Sequence, residues 1–220
     1  MSHEQINNLS ADEALEKLKS GNQIYMNSRT GSGDISPEKR LDTCLNGQKP
    51  YAIIITCSDS RVIPESVFGA GIGELFVIRV AGNVMDDHQL GSVEYAASHL
   101  GVKLIVVMGH NHCGAVDAAI NHDPDGYIKF ITDEIRLAIG DETDEEEACC
   151  MNVRHSIAVI ESSLAIHEEE EHGDKIELFH LGKEERALFM KGRKTKLTAA
   201  RRIIITSTIN LLFIFAEVII

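Results

Sequence analysis

Tyr51-Ala52-Ile53-Ile54-Ile55-Thr56 is a continuous apolar, β-branched run that leads directly into Cys57-Ser58-Asp59-Ser60-Arg61. A strand with one wet face alternates apolar and polar residues. A run without alternation suits a strand buried on both faces, as in a parallel sheet. Two runs of the same kind follow, Leu75-Phe76-Val77-Ile78-Arg79 and Leu104-Ile105-Val106-Val107-Met108. Between them Leu90, Val93, Ala97 and Leu100 recur at helical spacing, which predicts a helix over Gln89 to Leu100. Strands alternating with helices in this way predict an α/β fold, a mostly parallel central sheet flanked by helices.

Working outward, Ser10-Ala11-Asp12-Glu13 reads as a capping box, with Leu15 and Leu18 on one helical face and Gly21 as the stop. Residues 27–50, rich in Ser, Gly, Asp, Asn and Pro, read as a surface connection. Residues 115–138 read as helical, the acidic run 141–147 as a solvated loop or helix end, and Val153, Ile157, Ile160 and Leu164 as an amphipathic helix. His167 to His172 encloses four adjacent carboxylates. One helix turn cannot make them converge on an ion, so the stretch reads as a solvated face. Ile176 to Phe179 reads as a further strand.

With 44% hydrophobic and 25% charged residues, the chain is excluded from the disordered class. Its formal charge of −13 repels nucleic acid and anionic lipid, so neither is an expected partner. The charge is unevenly spread. From Gly182 onward there are 8 basic and 3 acidic residues, a net +5, which leaves 13 basic and 31 acidic residues, or −18, for residues 1–181. The start, Met1 to Ser10, is polar and has no apolar core of a secretory signal. Five cysteines, at 44, 57, 113, 149 and 150, are too few and odd in number for a disulfide framework, which predicts a reducing, cytoplasmic setting. Cys149 and Cys150 read as packing residues, and Cys44 lies in a connection without a partner in sight.

In open parallel sheets, ligands bind beyond the carboxyl ends of the strands. After Thr56 comes Cys57, and after Met108 come Gly109-His110-Asn111-His112-Cys113-Gly114. Two thiolates and one imidazole suit Zn²⁺, and three protein ligands with a fourth position open form the catalytic pattern. Gly114 opens a helix whose N-terminal dipole would favour the Cys113 thiolate. Gly69-Ala70-Gly71-Ile72-Gly73 superficially matches a dinucleotide-binding loop, but a strand rather than a helix follows it, so it reads as a loop.

Thr56-Cys57-Ser58-Asp59-Ser60-Arg61, Gly73-Glu74-Leu75-Phe76-Val77-Ile78-Arg79, Ala81-Gly82-Asn83, Gly91-Ser92-Val93-Glu94-Tyr95 and Gly109-His110-Asn111-His112-Cys113-Gly114-Ala115-Val116 together resemble the β-class carbonic anhydrases. The resemblance covers roughly residues 10–180. It implies that Cys57, His110 and Cys113 bind zinc, with water or hydroxide in the fourth position. It also implies that Asp59, paired with Arg61, accepts a hydrogen bond from that hydroxide. In some members this aspartate instead displaces the water and closes the site. The implied reaction is the reversible hydration of CO₂ to bicarbonate and a proton, a lyase activity (carbonate dehydratase), in a homodimer or homotetramer. Carbonyl sulfide or carbon disulfide hydrolysis on the same scaffold, and an inactive zinc-binding protein, are the rival readings. His112 falls at a variable position of the motif and is expected to point away from the metal.

The resemblance breaks in three places. No Trp is present, and Ile54 occupies the position that holds Trp in one regulated subgroup. Gly71 stands where plant-like members place a substrate-binding Gln. After Phe179 the pattern is lost altogether. This divides the chain into a catalytic domain, residues 1–181, and an atypical tail, residues 182–220, basic and then apolar. Its last 18 residues, Ile203 to Ile220, are short of the about 20 that span a bilayer, and include Thr206, Ser207, Thr208, Asn210 and Glu217. A tail packed on a partner subunit, or an end outside the family pattern, is therefore favoured over a membrane anchor.

Overall fold

The structure is a computed structural model and describes residues 9–27, 33–168, 177–178 and 211–213. The central strand β1 (Ala52–Cys57) is buried along its whole length. It lies between β2 (Leu75–Val80) and β3 (Leu104–Met108), parallel to both. The absence of alternation in the sequence has a direct cause here, since both faces of the sheet are covered. Ile53, Ile55, Ile105 and Val107 point into one core, and Ala52, Ile54, Leu104, Val106 and Met108 into the other. Each core takes every second residue, as the two-residue period of a strand requires. Thr56, the polar exception, is fully buried and donates from Oγ1 to the Met108 carbonyl at 2.9 Å.

The second core is closed by α1 (Ala11–Asn27) through Leu15 and Leu18, and by Val67 and Phe68 at the end of the short α3 (Pro64–Val67). Helix α1 runs through Gly21 instead of ending there. The glycine serves packing: a Cβ at position 21 would lie 1.7 Å from the Phe68 carbonyl oxygen. The expected capping box at its start is present, with the Ser10 Oγ accepting from the Glu13 N–H and Glu13 Oε2 accepting from the Ser10 N–H.

Residues 27–50 contain a helix, α2 (Pro37–Asn46), where a connection was expected. Ser36 caps it by accepting from the Lys39 N–H at 3.1 Å, and Pro37 occupies the first turn. Ser and Pro are loop residues in one context and helix-start residues in another. None of the helix's residues is buried, so no apolar stripe announces it.

The first core is covered by α4 (Asp87–Glu94), which continues as a π-turn over Tyr95–His99, and by α5 (Gly114–Asn121), α6 (Ile128–Ile139) and α7 (Glu145–Glu168). The single helical stretch read over 115–138 is thus two helices, separated at Pro124 and at Gly126, whose φ is +61°. The Arg136 side chain donates to the carbonyls of Ala119 and His122, which the end of α5 leaves without helical partners. The acidic run ends in the first turn of α7, where Glu145, Glu146 and Glu147 meet the positive end of the helix dipole. Residues 169–172 of the His167–His172 stretch lie outside the described residues.

The far edge of β3 is paired twice, in parallel. Leu104 pairs with Glu177 of β4 (Glu177–Leu178), and Ile105, Val106 and Val107 pair with Leu211, Leu212 and Phe213 of β5 (Leu211–Phe213). Three residues of the apolar tail therefore join this chain's own sheet. The rest of residues 182–220 lies outside the described residues. Among the described residues no helix is long and apolar enough to cross a membrane.

Candidate metal centre

Parallel pairing of β1 with β3 sets Thr56 opposite Met108, so the residues after each strand emerge side by side. Cys57 ends β1, His110 lies two residues beyond β3, and Cys113 is the N-cap of α5. Their donor atoms all lie within 4.8 Å of one another, and all three residues are buried. The two sulfurs are 3.9 Å apart. Two sulfurs each about 2.3 Å from a tetrahedral ion would stand roughly 3.8 Å apart.

The imidazole fits the same ion. Nδ1 of His110 lies 2.9 Å from the Asn111 carbonyl, an acceptor only, so Nδ1 carries the proton and Nε2 the lone pair. Nε2 is buried without a hydrogen-bond partner and faces the two sulfurs. A buried acceptor left unmatched is costly, and a cation between the three donors would satisfy it. The residues present therefore fit a soft divalent metal such as zinc.

The sulfurs are electrostatically unequal. The hydrogen bond shared with Cys113 is the largest influence lowering the Cys57 thiol, and the N–H groups of Asp59 and Gly82 add to it, against the opposing effect of burial. These N–H groups approach Cys57 Sγ at 3.4 and 3.2 Å. Cys113 is raised because its proton is held by the Cys57 thiolate and because it is buried; the amides of Ala115 and Val116 in the first turn of α5 pull the other way. The amides of the helix start thus act in the direction that the sequence suggests, but the net effect on Cys113 is upward.

Asp59 and Arg61 form a two-pronged pair beside these donors. Nε of Arg61 donates to Oδ1 at 2.9 Å and Nη2 to Oδ2 at 2.7 Å, while the Arg61 backbone N–H also reaches Oδ1. The guanidinium holds the Asp59 carboxyl well below the usual carboxylate range. Oδ2 stands 4.0 Å from His110 Nε2, so the carboxylate borders the donor cluster while remaining turned to Arg61. Arg61 Nη2 also donates to the His112 carbonyl and so bridges the two strand-end loops. His112 itself adopts a left-handed backbone (φ +52°), and its exposed ring lies 3.5 Å from Glu145. It points away from the cluster.

Three supporting residues carry no spacing signal. Arg79 of β2 donates to the carbonyls of Cys57 and Asp59 at 3.0 and 2.6 Å, holding the turn between them. Its one legible trace is a charge in an otherwise apolar run. Cys149 donates its thiol to the His110 carbonyl at 3.4 Å. Asn152 donates to the Gly82 carbonyl at 2.6 Å.

Comparison with known proteins agrees with this arrangement. The family model described as carbonic anhydrase matches residues 52–181, more than half of the chain. Carbonic anhydrase 2 of Mycobacterium tuberculosis is 42% identical over 131 residues, and the carbonic anhydrase of Mycolicibacterium smegmatis 37% identical over 131 residues. Each alignment takes in 57% of this chain and 63% of the relative, so the chain spans less than two thirds of these relatives' length. In fold, the chain resembles a tetrameric β-carbonic anhydrase of the filamentous ascomycete Sordaria macrospora, with a TM-score of 0.53, 23% identity, and coverage of 72% of this chain and 84% of that one. Two strand ends that deliver Cys57, His110 and Cys113 to one point, inside a stretch that the family model matches throughout, place this chain in the carbonic anhydrase family, in its β class.

Proposed function

We propose that the chain is a zinc-dependent carbonic anhydrase that interconverts CO₂ and bicarbonate, with Cys57, His110 and Cys113 as the metal ligands. The observation that carries this reading is the convergence of these three buried donors beside an Arg61-paired Asp59. Zinc held there would supply Lewis acidity, which lowers the pKa of water from about 15.7 to about 7. Asp59, kept ionised by Arg61, is an acceptor only. It takes a hydrogen bond from the attacking water and so sets which lone pair faces CO₂. Arg61 holds that carboxylate in place and ties it to the loop bearing His110 and Cys113. Asp59 and Arg61 are the catalytic residues of this reading.

The same reading places the protein in the cytoplasm as a homodimer or homotetramer, with residues 1–181 as the catalytic domain and 182–220 as a separate tail. Buried free thiols at Cys57, Cys113 and Cys149 support a reducing compartment. Exposed Phe130 and Leu137 on α6, with Tyr127 just before it, and the tetrameric state of the Sordaria protein support assembly. The family match ends at residue 181, which supports the boundary. Metal analysis combined with stopped-flow CO₂ hydration tests the proposal. About one zinc per chain, lost with Cys57→Ala or His110→Ala, and hydration that disappears with the zinc are expected. Zinc-loaded protein that hydrates no CO₂ at any pH between neutral and alkaline would overturn the enzyme reading.

A further inference from the structure

One face of α7 touches both halves of the centre. Cys149, Asn152 and Ser156 are three and four residues apart, so they line up on a single side of the helix, and all three are buried. Their partners include backbone carbonyls on two different loops. Cys149 reaches the His110 carbonyl in the loop after β3. Asn152 and Ser156 reach the carbonyls of Gly82 and Asn83, at 2.6 and 2.9 Å, in the turn after β2.

That turn is an uncommon one. Gly82 and Asn83 are both left-handed, with φ of +67° and +46°. A Cβ on Gly82 would meet the Ile135 side chain at 2.7 Å, so the backbone there is closely enclosed. The outcome of this conformation is the Gly82 N–H aimed at Cys57 Sγ. Asn152 is committed to the arrangement. A carbonyl can only accept, so its amide nitrogen must face Gly82, and this leaves Oδ1 buried without a partner. A buried acceptor left unmatched costs roughly 1–3 kcal/mol, and stability alone gives no reason to keep it.

We infer that Cys149, Asn152 and Ser156 are positioning residues of the metal centre: this face of α7 holds the Gly82–Asn83 turn so that the Gly82 N–H donates to Cys57, and anchors the His110 backbone to the same helix. The inference rests on the proposed metal role of Cys57, His110 and Cys113, and deepens it. The two loops come from strands on opposite sides of β1, so their relative position is not fixed by local chain connectivity. The strand pairing brings the two loops side by side, and one helix in contact with both fixes them further. An N–H bond to a thiolate withdraws electron density from sulfur, and groups that orient metal ligands typically account for about 10–100-fold in metal affinity.

Cobalt(II), a spectroscopic substitute for zinc, tests this in the full-length chain. Asn152→Leu removes the amide donor at nearly constant volume. It is expected to move the thiolate-to-cobalt charge-transfer band to lower energy, because Cys57 loses the Gly82 N–H bond and keeps that of Asp59, and to weaken metal retention against a chelator about 10–100-fold. Ser156→Ala should shift the band in the same direction by less, and decides the matter if Asn152→Leu does not fold. Cys149→Ala should weaken retention, and Cys149→Ser, which keeps a donor, should restore it. Folded Asn152→Leu or Ser156→Ala with the wild-type band and wild-type retention would overturn the positioning role alone. Wild-type protein that takes up cobalt without any thiolate band would overturn the metal reading and this inference together.

Discussion

Asp59 is gripped by three donors of one arginine, and each contact constrains what can replace it. Asp59→Asn keeps the size of the side chain but turns one acceptor oxygen into a donor facing Arg61. The side chain then loses its charge and its fixed orientation, while Cys57, His110 and Cys113 are untouched. CO₂ hydration is expected to fall by about 100-fold or more, within the range for removal of a positioned proton-handling group, with zinc content unchanged. Stopped-flow rates alongside metal analysis check this; loss of zinc with the rate would mean that Asp59 holds the ligand loops instead. At this scale the sequence is unevenly legible. Cys57, His110 and Cys113 stand out because they lie at or shortly beyond strand ends and their residue types suit a metal, whereas the roles of Asp59 and Arg61 come from the family resemblance. Arg79, Asn152 and Ser156 stand out in neither way. Their partners are backbone carbonyls 22, 70 and 73 residues away, and a carbonyl has no residue type to read.

Elements were legible where burial imposes a pattern. β1 and β3 are covered on both faces and read as unbroken apolar runs, whereas α2 buries nothing and leaves only its Ser36-Pro37 start. The joint between α1 and β2 shows how polar groups complete what the apolar pattern begins. Lys17 of α1 lies 4.0 Å from the centre of the Tyr51 ring and 3.3 Å from Glu74, just before β2, and Glu74 also accepts from the Gly71 N–H at 2.8 Å. Burial pushes the Glu74 carboxyl up, but Gly71 and Lys17 outweigh it and hold the group below its ordinary value of 4.5. A carboxyl depressed in the folded state stabilises fully above its unfolded value, and this contribution disappears as pH falls through the folded one. Glu74→Gln should therefore lower the melting temperature at pH 7 and converge with wild type once the pH has fallen below the folded-state value, itself lower than the ordinary 4.5. Melting curves that stay equally separated down to pH 3 would show that the contact acts by shape and not by charge.

For the molecule as a whole, the charge asymmetry and the sheet divide the chain in different places. The acidic stretch ends with the family match, yet Leu211–Phe213, from the basic and apolar end, pairs with the central sheet. The two stretches also carry opposite net charge, +5 against −18, and so attract each other. The geometry gives it a structural consequence. Among the described residues β4 pairs with β3 at Leu104 and β5 at Ile105–Val107, so the tail strand covers most of this edge of the strand that leads to His110. Open edges recruit other strands. Ending the chain after Leu181 is thus expected to cost about 1–3 kcal/mol, the worth of two or three ladder hydrogen bonds, and to promote self-association. Urea unfolding followed by light scattering measures both. Because Cys57, His110 and Cys113 all lie before the cut, the shortened chain should still take up metal while it remains folded, which separates a lost edge from a lost centre. A shortened chain with wild-type stability and no added association would mean that the tail strand contributes nothing to the sheet it borders.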